Sequence, residues 1–115
     1  MICFVAELTI KPGREAGALK LVRAAACGAR RGQPGTLVYF VHRVTKGAKQ
    51  PKPTRTLLFY ECYRNQAALN AHLASPSWQA IEAQWPRSFE GKPLVGKGIT
   101  LTGLQRLAGF ARTRS

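Results

Sequence analysis

The amino-acid sequence predicts an α+β protein with a ferredoxin-like fold, in which helices cover one face of a four-stranded antiparallel sheet. Strand patterns of period two and helix patterns of period 3.6 follow one another in the order β-α-β-β-α-β, which is the split arrangement of this fold. The chain has 115 residues, the size of one domain. We therefore expect one domain over residues 1–104, followed by a basic tail over residues 105–115.

The first two elements are a strand and a helix. Residues 2–10 alternate in character, with apolar side chains at every second position, as in a strand that buries one face. The turn Lys11-Pro12-Gly13 separates this strand from a helix predicted over residues 14–29. Apolar residues recur in this helix at the spacing of a stripe that faces a sheet.

The second and third strands are predicted over residues 36–44 and 55–63, which are rich in aromatic and β-branched residues. The residues between them, 45–54, have the Gly, Pro and Lys content of an exposed hairpin loop. Both strands are apolar on both faces, and helices cover only one face of such a sheet. Because a second copy of the sheet would cover the other, we predict a homodimer through the sheet face.

The C-terminal half contains two further helical segments and a last strand. Asn65 is a suitable N-cap for a helix over residues 66–74, and Ser75 is a suitable N-cap for a second one that starts at Pro76. The pair Trp85-Pro86 is expected to end this second helix after Gln84. A last strand is predicted over residues 94–104.

The chain is strongly basic, with 18 Lys and Arg residues against five acidic ones and a net charge of +13. Such a charge attracts anionic partners, so we expect a small-molecule substrate that can be anionic. The basic residues are spread along the chain and do not alternate with aromatic ones, so the pattern does not favour nucleic-acid binding.

Membrane, metal and disulfide signals are weak in this sequence. It has no apolar run long enough for a transmembrane helix and no secretory signal pattern, so we expect a cytoplasmic protein without membrane contact. Cys3, Cys27 and Cys62 are odd in number and lack the spacing of metal ligands. We therefore expect free, mostly buried thiols, no metal and no cofactor.

Three segments in the right order and spacing, residues 4–13, 33–43 and 60–76, resemble the antibiotic biosynthesis monooxygenase family. The resemblance extends over about residues 1–100. It implies a dimeric α+β barrel and an activity like that of quinol monooxygenases or of the cofactor-free oxygenases that convert anthrones to quinones. The family also contains isomerases, and fold alone does not fix function.

The sequence also departs from its relatives at two informative positions. Tyr63 stands where many relatives have Trp, so the aromatic wall is kept but changes in size and gains a hydroxyl. Ala6 stands where the related haem-degrading proteins have Asn, which disfavours haem degradation.

Oxygenation without metal or flavin needs an electron-rich substrate, a base that titrates near neutral pH and a dry aromatic pocket. His72 is the leading candidate base because its helical spacing from Leu69 places it toward the sheet, and His42 is the second candidate. The candidate substrate-binding residues are Tyr39, Glu61, Tyr63, Trp78, Trp85 and Phe89.

Each candidate also has a structural interpretation. His72 can be a buried histidine that is hydrogen-bonded to the backbone or to Glu61, and His42 can lie at the surface. The aromatic residues can be core or interface residues. The alternatives to a monooxygenase are a non-enzymatic dimeric module that binds a small molecule or an anion, and an isomerase of the same superfamily.

Overall fold

The computed structural model of the protein describes residues 1–112. It contains one four-stranded antiparallel sheet and three helices, which confirms the predicted α+β ferredoxin-like fold. The elements in chain order are β1 (Ile2–Thr9), α1 (Glu15–Gly32), β2 (Thr36–Lys46), β3 (Lys52–Tyr63), α2 (Gln66–Leu73), α3 (Pro76–Ser88) and β4 (Thr100–Leu104).

The strands lie in the order β2-β3-β1-β4, so the first and third strands occupy the centre of the sheet. Phe4 lies opposite Glu61 and Ala6 opposite Phe59, and these side chains share the face that the helices cover. Their sequence neighbours point to the other face because successive side chains of a strand alternate. This second face is called the open face below.

The core lies between the helix-covered face and helices α1 and α3. Trp85, Ile81 and Val22 from the helices are buried there against strand residues such as Leu57 and Leu8. Trp85 Nε1 donates hydrogen bonds to the carbonyl oxygens of residues 90 and 91, so the indole is buried with its polar atom satisfied.

The hairpin between β2 and β3 is longer than predicted, and half of the predicted loop over residues 45–54 is strand. Thr45 pairs with Pro53 and Lys46 with Lys52, which leaves only residues 47–51 between the strands. The Thr54 hydroxyl donates a hydrogen bond to the Val44 carbonyl oxygen at 2.7 Å. Cross-strand pairing therefore overrides the Gly and Pro content of this segment.

Helix α3 continues past the predicted stop at Gln84 and ends at Ser88. Pro86 lies in its last turn, where it removes one backbone N–H from the helix. The buried side chains of Trp85 and Phe89, whose rings are 4.8 Å apart, hold this turn against the core, and the Phe89 N–H still bonds to the Trp85 carbonyl.

The last strand is shorter than predicted, because residues 90–99 form a compact turn segment before β4. Gly91 has a positive φ of 67°. A Cβ atom at Gly98 would come within 2.2 Å of the Lys92 carbonyl oxygen. Glycine is required at both places, and this close packing keeps the segment out of the sheet.

The cysteines differ from the prediction of free, mostly buried thiols. Cys3 and Cys62 face each other across β1 and β3, with Cα atoms 4.1 Å apart, and form a disulfide. Cys27 is free and exposed on α1. The pairing follows from the strand register, which no sequence spacing reveals.

The predicted tail, residues 105–115, has no helix or strand over residues 105–112, and residues 113–115 lie outside the described part. Arg106 contacts the Tyr60 hydroxyl and Cys62 Sγ, so the start of the tail reaches the third strand on the open face. None of the helices within residues 1–112 is long and apolar enough to cross a membrane.

Candidate active site

A cavity of about 180 Å³ lies between the helix-covered face of the sheet and helix α2. Its walls are almost entirely apolar, and Glu61, His72 and the phenol of Tyr39 are the ionisable side chains in them. The lining residues are Phe4, Ala6, Leu8, Tyr39, Phe59, Glu61, Leu69, His72, Leu73, Trp78, Val95, Ile99 and Leu101.

His72 reaches the cavity from the last turn of α2 and is only 3% exposed. The Asn65 side chain accepts a hydrogen bond from the Ala68 N–H, which fixes the start of this short helix. The Ser75 hydroxyl donates to the His72 carbonyl oxygen at 2.6 Å and accepts from the Trp78 N–H, so it joins α2 to α3. The imidazole is thereby set at a rigid helix junction.

Gln33 fixes the orientation of the imidazole. His72 Nδ1 donates a hydrogen bond to Gln33 Oε1 at 2.8 Å, and the Thr36 hydroxyl donates to the same oxygen at 3.0 Å. Because the amide oxygen only accepts, this arrangement assigns the proton to Nδ1 of the neutral ring. Nε2 is then free to accept a proton, and it lies 3.7 Å from Glu61 Oε1.

Glu61 is a buried carboxyl group in the middle of the sheet, only 6% exposed. The Tyr63 hydroxyl donates a hydrogen bond to Glu61 Oε1 at 2.5 Å. Burial raises the pKa of Glu61 from its ordinary 4.5 to about 7, and the Tyr63 hydrogen bond opposes this rise only in part. Glu61 therefore changes its charge near neutral pH.

The electrostatic state of His72 follows from the same burial, which lowers its pKa from 6.5 to about 4. The ring is neutral at physiological pH, so its contact with Glu61 is not an ion pair. Burial, together with the charge of Glu61, raises the pKa of both Tyr39 and Tyr63 well above the ordinary 10. Both phenols therefore remain protonated.

The structure brings together five of the eight predicted site residues. Tyr39 and Tyr63 have ring centroids 5.4 Å and 5.3 Å from that of His72, and Trp78 follows at 6.4 Å. Tyr39, Glu61, His72 and Trp78 line the cavity, while Tyr63 lies behind His72 and Glu61.

The other three predicted residues lie elsewhere. Trp85 and Phe89 are buried in the core and do not border the cavity. His42 is exposed on the open face, opposite Leu58 of β3, and its Nδ1 lies 3.3 Å from the Leu58 carbonyl oxygen. The sheet therefore separates His42 from His72.

Sequence reasoning missed the residue that orients the imidazole and the residues at the cavity rim. Gln33 comes from the end of α1, 39 residues before His72, and its only sequence signal is its place in the 33–43 segment of the family resemblance. The rim residues Leu73, Val95 and Leu101 are all exposed hydrophobic residues in the structure. The sequence alone gave no reason to expect them at one site.

Within residues 1–112, no Lys or Arg side chain lines the cavity, although the chain carries 18 such residues. Across residues 1–112, no three His, Cys, Asp or Glu side chains lie close enough together to hold a metal ion. The arrangement offers one acid–base pair inside an apolar, partly aromatic environment.

Fold and site together define a class: a ferredoxin-like domain with an apolar cavity that contains a buried Glu–His pair. The sequence profile of the antibiotic biosynthesis monooxygenase family matches residues 1–84. The chain belongs to this family, which confirms the resemblance inferred from its sequence. No curated protein is significantly similar to it in sequence.

Solved structures with this fold match nearly the whole chain. PA3566 from Pseudomonas aeruginosa is 20% identical with a TM-score of 0.72, over 93% of this chain and 94% of that one. Rv0793 from Mycobacterium tuberculosis is 20% identical with a TM-score of 0.70, over 96% and 98%. NE2512, a protein of unknown function from Nitrosomonas europaea, is 19% identical with a TM-score of 0.69, over 97% and 94%. At these identities the similarity establishes the fold.

Proposed function

We propose that this protein is a cofactor-independent monooxygenase that oxidises an aromatic, quinol-like or otherwise enolisable small molecule with dioxygen. The observation that carries the proposal is the pair formed by Glu61 and His72, 3.7 Å apart, in the wall of an otherwise apolar cavity. A substrate that loses its hydroxyl proton there becomes an anion that can give an electron to dioxygen.

The reaction balances without a further reductant. A hydroquinone that loses two ring-oxygen protons and one ring C–H bond while it takes up dioxygen gives a hydroxyquinone and one water molecule. One oxygen atom enters the ring and the other leaves as water, and the substrate supplies all the electrons. The protein has to bind the substrate, accept and return protons, and exclude bulk water.

Glu61 is the member of the pair whose pKa suits this task. With a pKa of about 7, its carboxylate form is populated at neutral pH and can accept the substrate proton. His72 presents the unprotonated Nε2 as a hydrogen-bond acceptor for the same hydroxyl, because Gln33 holds the proton on Nδ1. Gln33 is therefore a positioning residue, and Tyr63 has the same role toward Glu61.

The protein acts as a homodimer through the open face of its sheet. This face carries apolar side chains from three strands, including Val5, Val38 and Leu58, and Phe40 is 59% exposed there. An apolar sheet surface of this kind is typically covered by another chain. The cavity opens on the opposite side of the sheet and stays accessible in such a dimer.

Oxygen uptake with a panel of hydroquinones and anthrone-type compounds tests the activity. We expect uptake by the purified protein, and a loss of at least about tenfold in kcat/KM in Glu61→Gln and in His72→Ala. Glu82→Gln, which removes an exposed carboxylate on α3, is the matched control and should keep full activity. Circular dichroism checks that each variant is folded.

Two outcomes would favour the alternatives. No uptake across the panel would contradict the oxygenase and leave the isomerase or the binding module. Steep salt-dependent association with nucleic acid near physiological salt would favour a module that uses its basic surface.

A further inference from the structure

We infer that the cavity selects a neutral phenol or hydroquinone and rejects aromatic compounds with a carboxylate, sulfonate or phosphate group. The net charge of +13 led to the expectation of a substrate that can be anionic, but the residues that line the cavity favour a neutral one. Only the oxidation of the bound phenol depends on the proposed function. The class of ligand follows from the cavity walls.

The buried end of the cavity disfavours an anion. Its polar groups are Glu61, which is negative or neutral, His72, which is neutral, and the protonated phenol of Tyr39. A carboxylate placed beside Glu61 would meet a like charge in an apolar region, and the described residues would offer it no cation. A hydroxyl group is suited to this place, because it can donate to Glu61 or to His72 Nε2.

Among residues 1–112, the rim of the cavity offers no cation either. Leu73, Val95 and Leu101 form it, with exposed fractions of 48%, 62% and 44%. Lys92 and Lys97 belong to the same turn segment as Val95, but neither lines the cavity. A charged substituent that pointed outward from a bound ring would therefore lie against leucine and valine side chains and lose part of its hydration.

The cavity volume fits one aromatic ring with small substituents. An apolar protein cavity of about 150 Å³ is large enough to bind benzene, and this one measures about 180 Å³. Phe4, Phe59, Tyr39 and Trp78 supply aromatic walls for such a ring.

Calorimetric titration with two para-substituted phenols that share one carbon skeleton tests the inference. At neutral pH 4-ethylphenol is uncharged, whereas 4-hydroxyphenylacetate carries a carboxylate. We expect 4-ethylphenol to bind at least about tenfold more tightly, since the carboxylate is desolvated without a partner. Ethylbenzene, which has no hydroxyl group, should bind more weakly than 4-ethylphenol.

Two pairs of variants test whether the ligand binds in this cavity and whether charge at the rim sets the ligand preference. Ala6→Leu fills the cavity from β1 and should abolish binding of 4-ethylphenol, while Ala16→Leu, on the exposed side of α1, should not. Val95→Lys adds a cation at the rim and should reduce the preference for 4-ethylphenol several-fold. Leu94→Lys is the matched control, because Leu94 is 54% exposed but does not line the cavity.

Equal or tighter binding of 4-hydroxyphenylacetate by the unmodified protein would overturn the inference, and so would the absence of binding by all three compounds. Binding of 4-ethylphenol that survives Ala6→Leu would also overturn it, because the ligand would lie outside the cavity. If neutral phenols bind as expected but no hydroquinone supports oxygen uptake, the proposed activity fails and the ligand class stands.

Discussion

At the scale of single residues, burial moves Glu61 and His72 in the same direction, toward the uncharged form. Glu61 holds its proton up to a pKa of about 7, and His72 stays neutral down to about 4. The effects on stability are opposite in sign. Between pH 4 and 6.5 the unfolded chain binds more protons at His72, whereas between pH 4.5 and 7 the folded chain binds more at Glu61.

The pH dependence of unfolding in single variants should separate the two effects. Glu61→Gln removes the glutamate contribution, so its unfolding free energy relative to that of the unmodified protein should rise by up to about 3 kcal/mol from pH 4.5 to 7. His72→Gln removes the histidine contribution, so its relative free energy should fall by a similar amount from pH 4 to 6.5. Urea titrations at several pH values measure both.

Glu82→Gln serves as the reference for loss of an ordinary exposed carboxylate and should show no such relative slope. If the unfolding free energies of Glu61→Gln, His72→Gln and the unmodified protein changed with pH in parallel, the pKa values of Glu61 and His72 would be the ordinary ones. The assignment of acid–base roles would then fail.

At the scale of elements, the site depends on how closely α2 packs against the turn between α1 and β2. This turn carries Gln33 and Gly35, and the Gly35 carbonyl accepts a hydrogen bond from the Arg64 N–H at 2.9 Å. A Cβ atom at Gly35 would come within 2.6 Å of Ala68 Cβ on α2. The absence of a side chain there brings His72 within reach of Gln33.

Gly35→Ala should therefore displace α2 and weaken the hydrogen bond between His72 and Gln33. We expect a loss of about 1–3 kcal/mol in the free energy of unfolding, the usual cost of overpacking. The matched control is Gly32→Ala, where a Cβ atom meets nothing within 4 Å. Urea unfolding measures the stability, and nitrogen chemical shifts of the His72 ring report its tautomer.

Equal stabilities of Gly35→Ala and Gly32→Ala, with an unchanged His72 tautomer, would show that α2 tolerates the displacement. The close approach at Gly35 would then have no part in placing the imidazole.

At the scale of the whole molecule, the two faces of the sheet have different roles. The helix-covered face contains the core and the cavity, while the open face carries exposed Phe40 and the contact of Arg106 with Tyr60. His42 belongs to the open face as well, so it lies among the residues of the proposed dimer interface.

Phe40→Glu should convert the proposed dimer to a monomer, because it places a charge in the proposed apolar interface. Light scattering coupled to gel filtration measures the molar mass of each variant. Leu94→Glu, at a comparably exposed residue in the turn segment before β4, should leave the dimer intact. A monomeric unmodified protein, or a dimer that survives Phe40→Glu, would contradict the proposed interface.

Local sequence signals determined which elements form. The alternation in β1 and the capping residues Asn65 and Ser75 identified a strand and two helix starts within one residue of their observed positions. These signals depend on neighbours in the chain, so they can be read without the fold. The prediction went wrong at Pro86 and in the hairpin around residues 45–54, where packing and strand pairing outweigh local preference.

The sequence by itself therefore determined the order of elements, the family and the candidacy of His72 and Glu61. Only the tertiary structure decided that Gln33 orients His72, that Cys3 pairs with Cys62, and that His42 lies across the sheet from the cavity. The physical reason is that these relations join residues far apart in the chain through strand register and helix packing. Burial, which sets the charge states of Glu61 and His72, likewise exists only in the folded molecule.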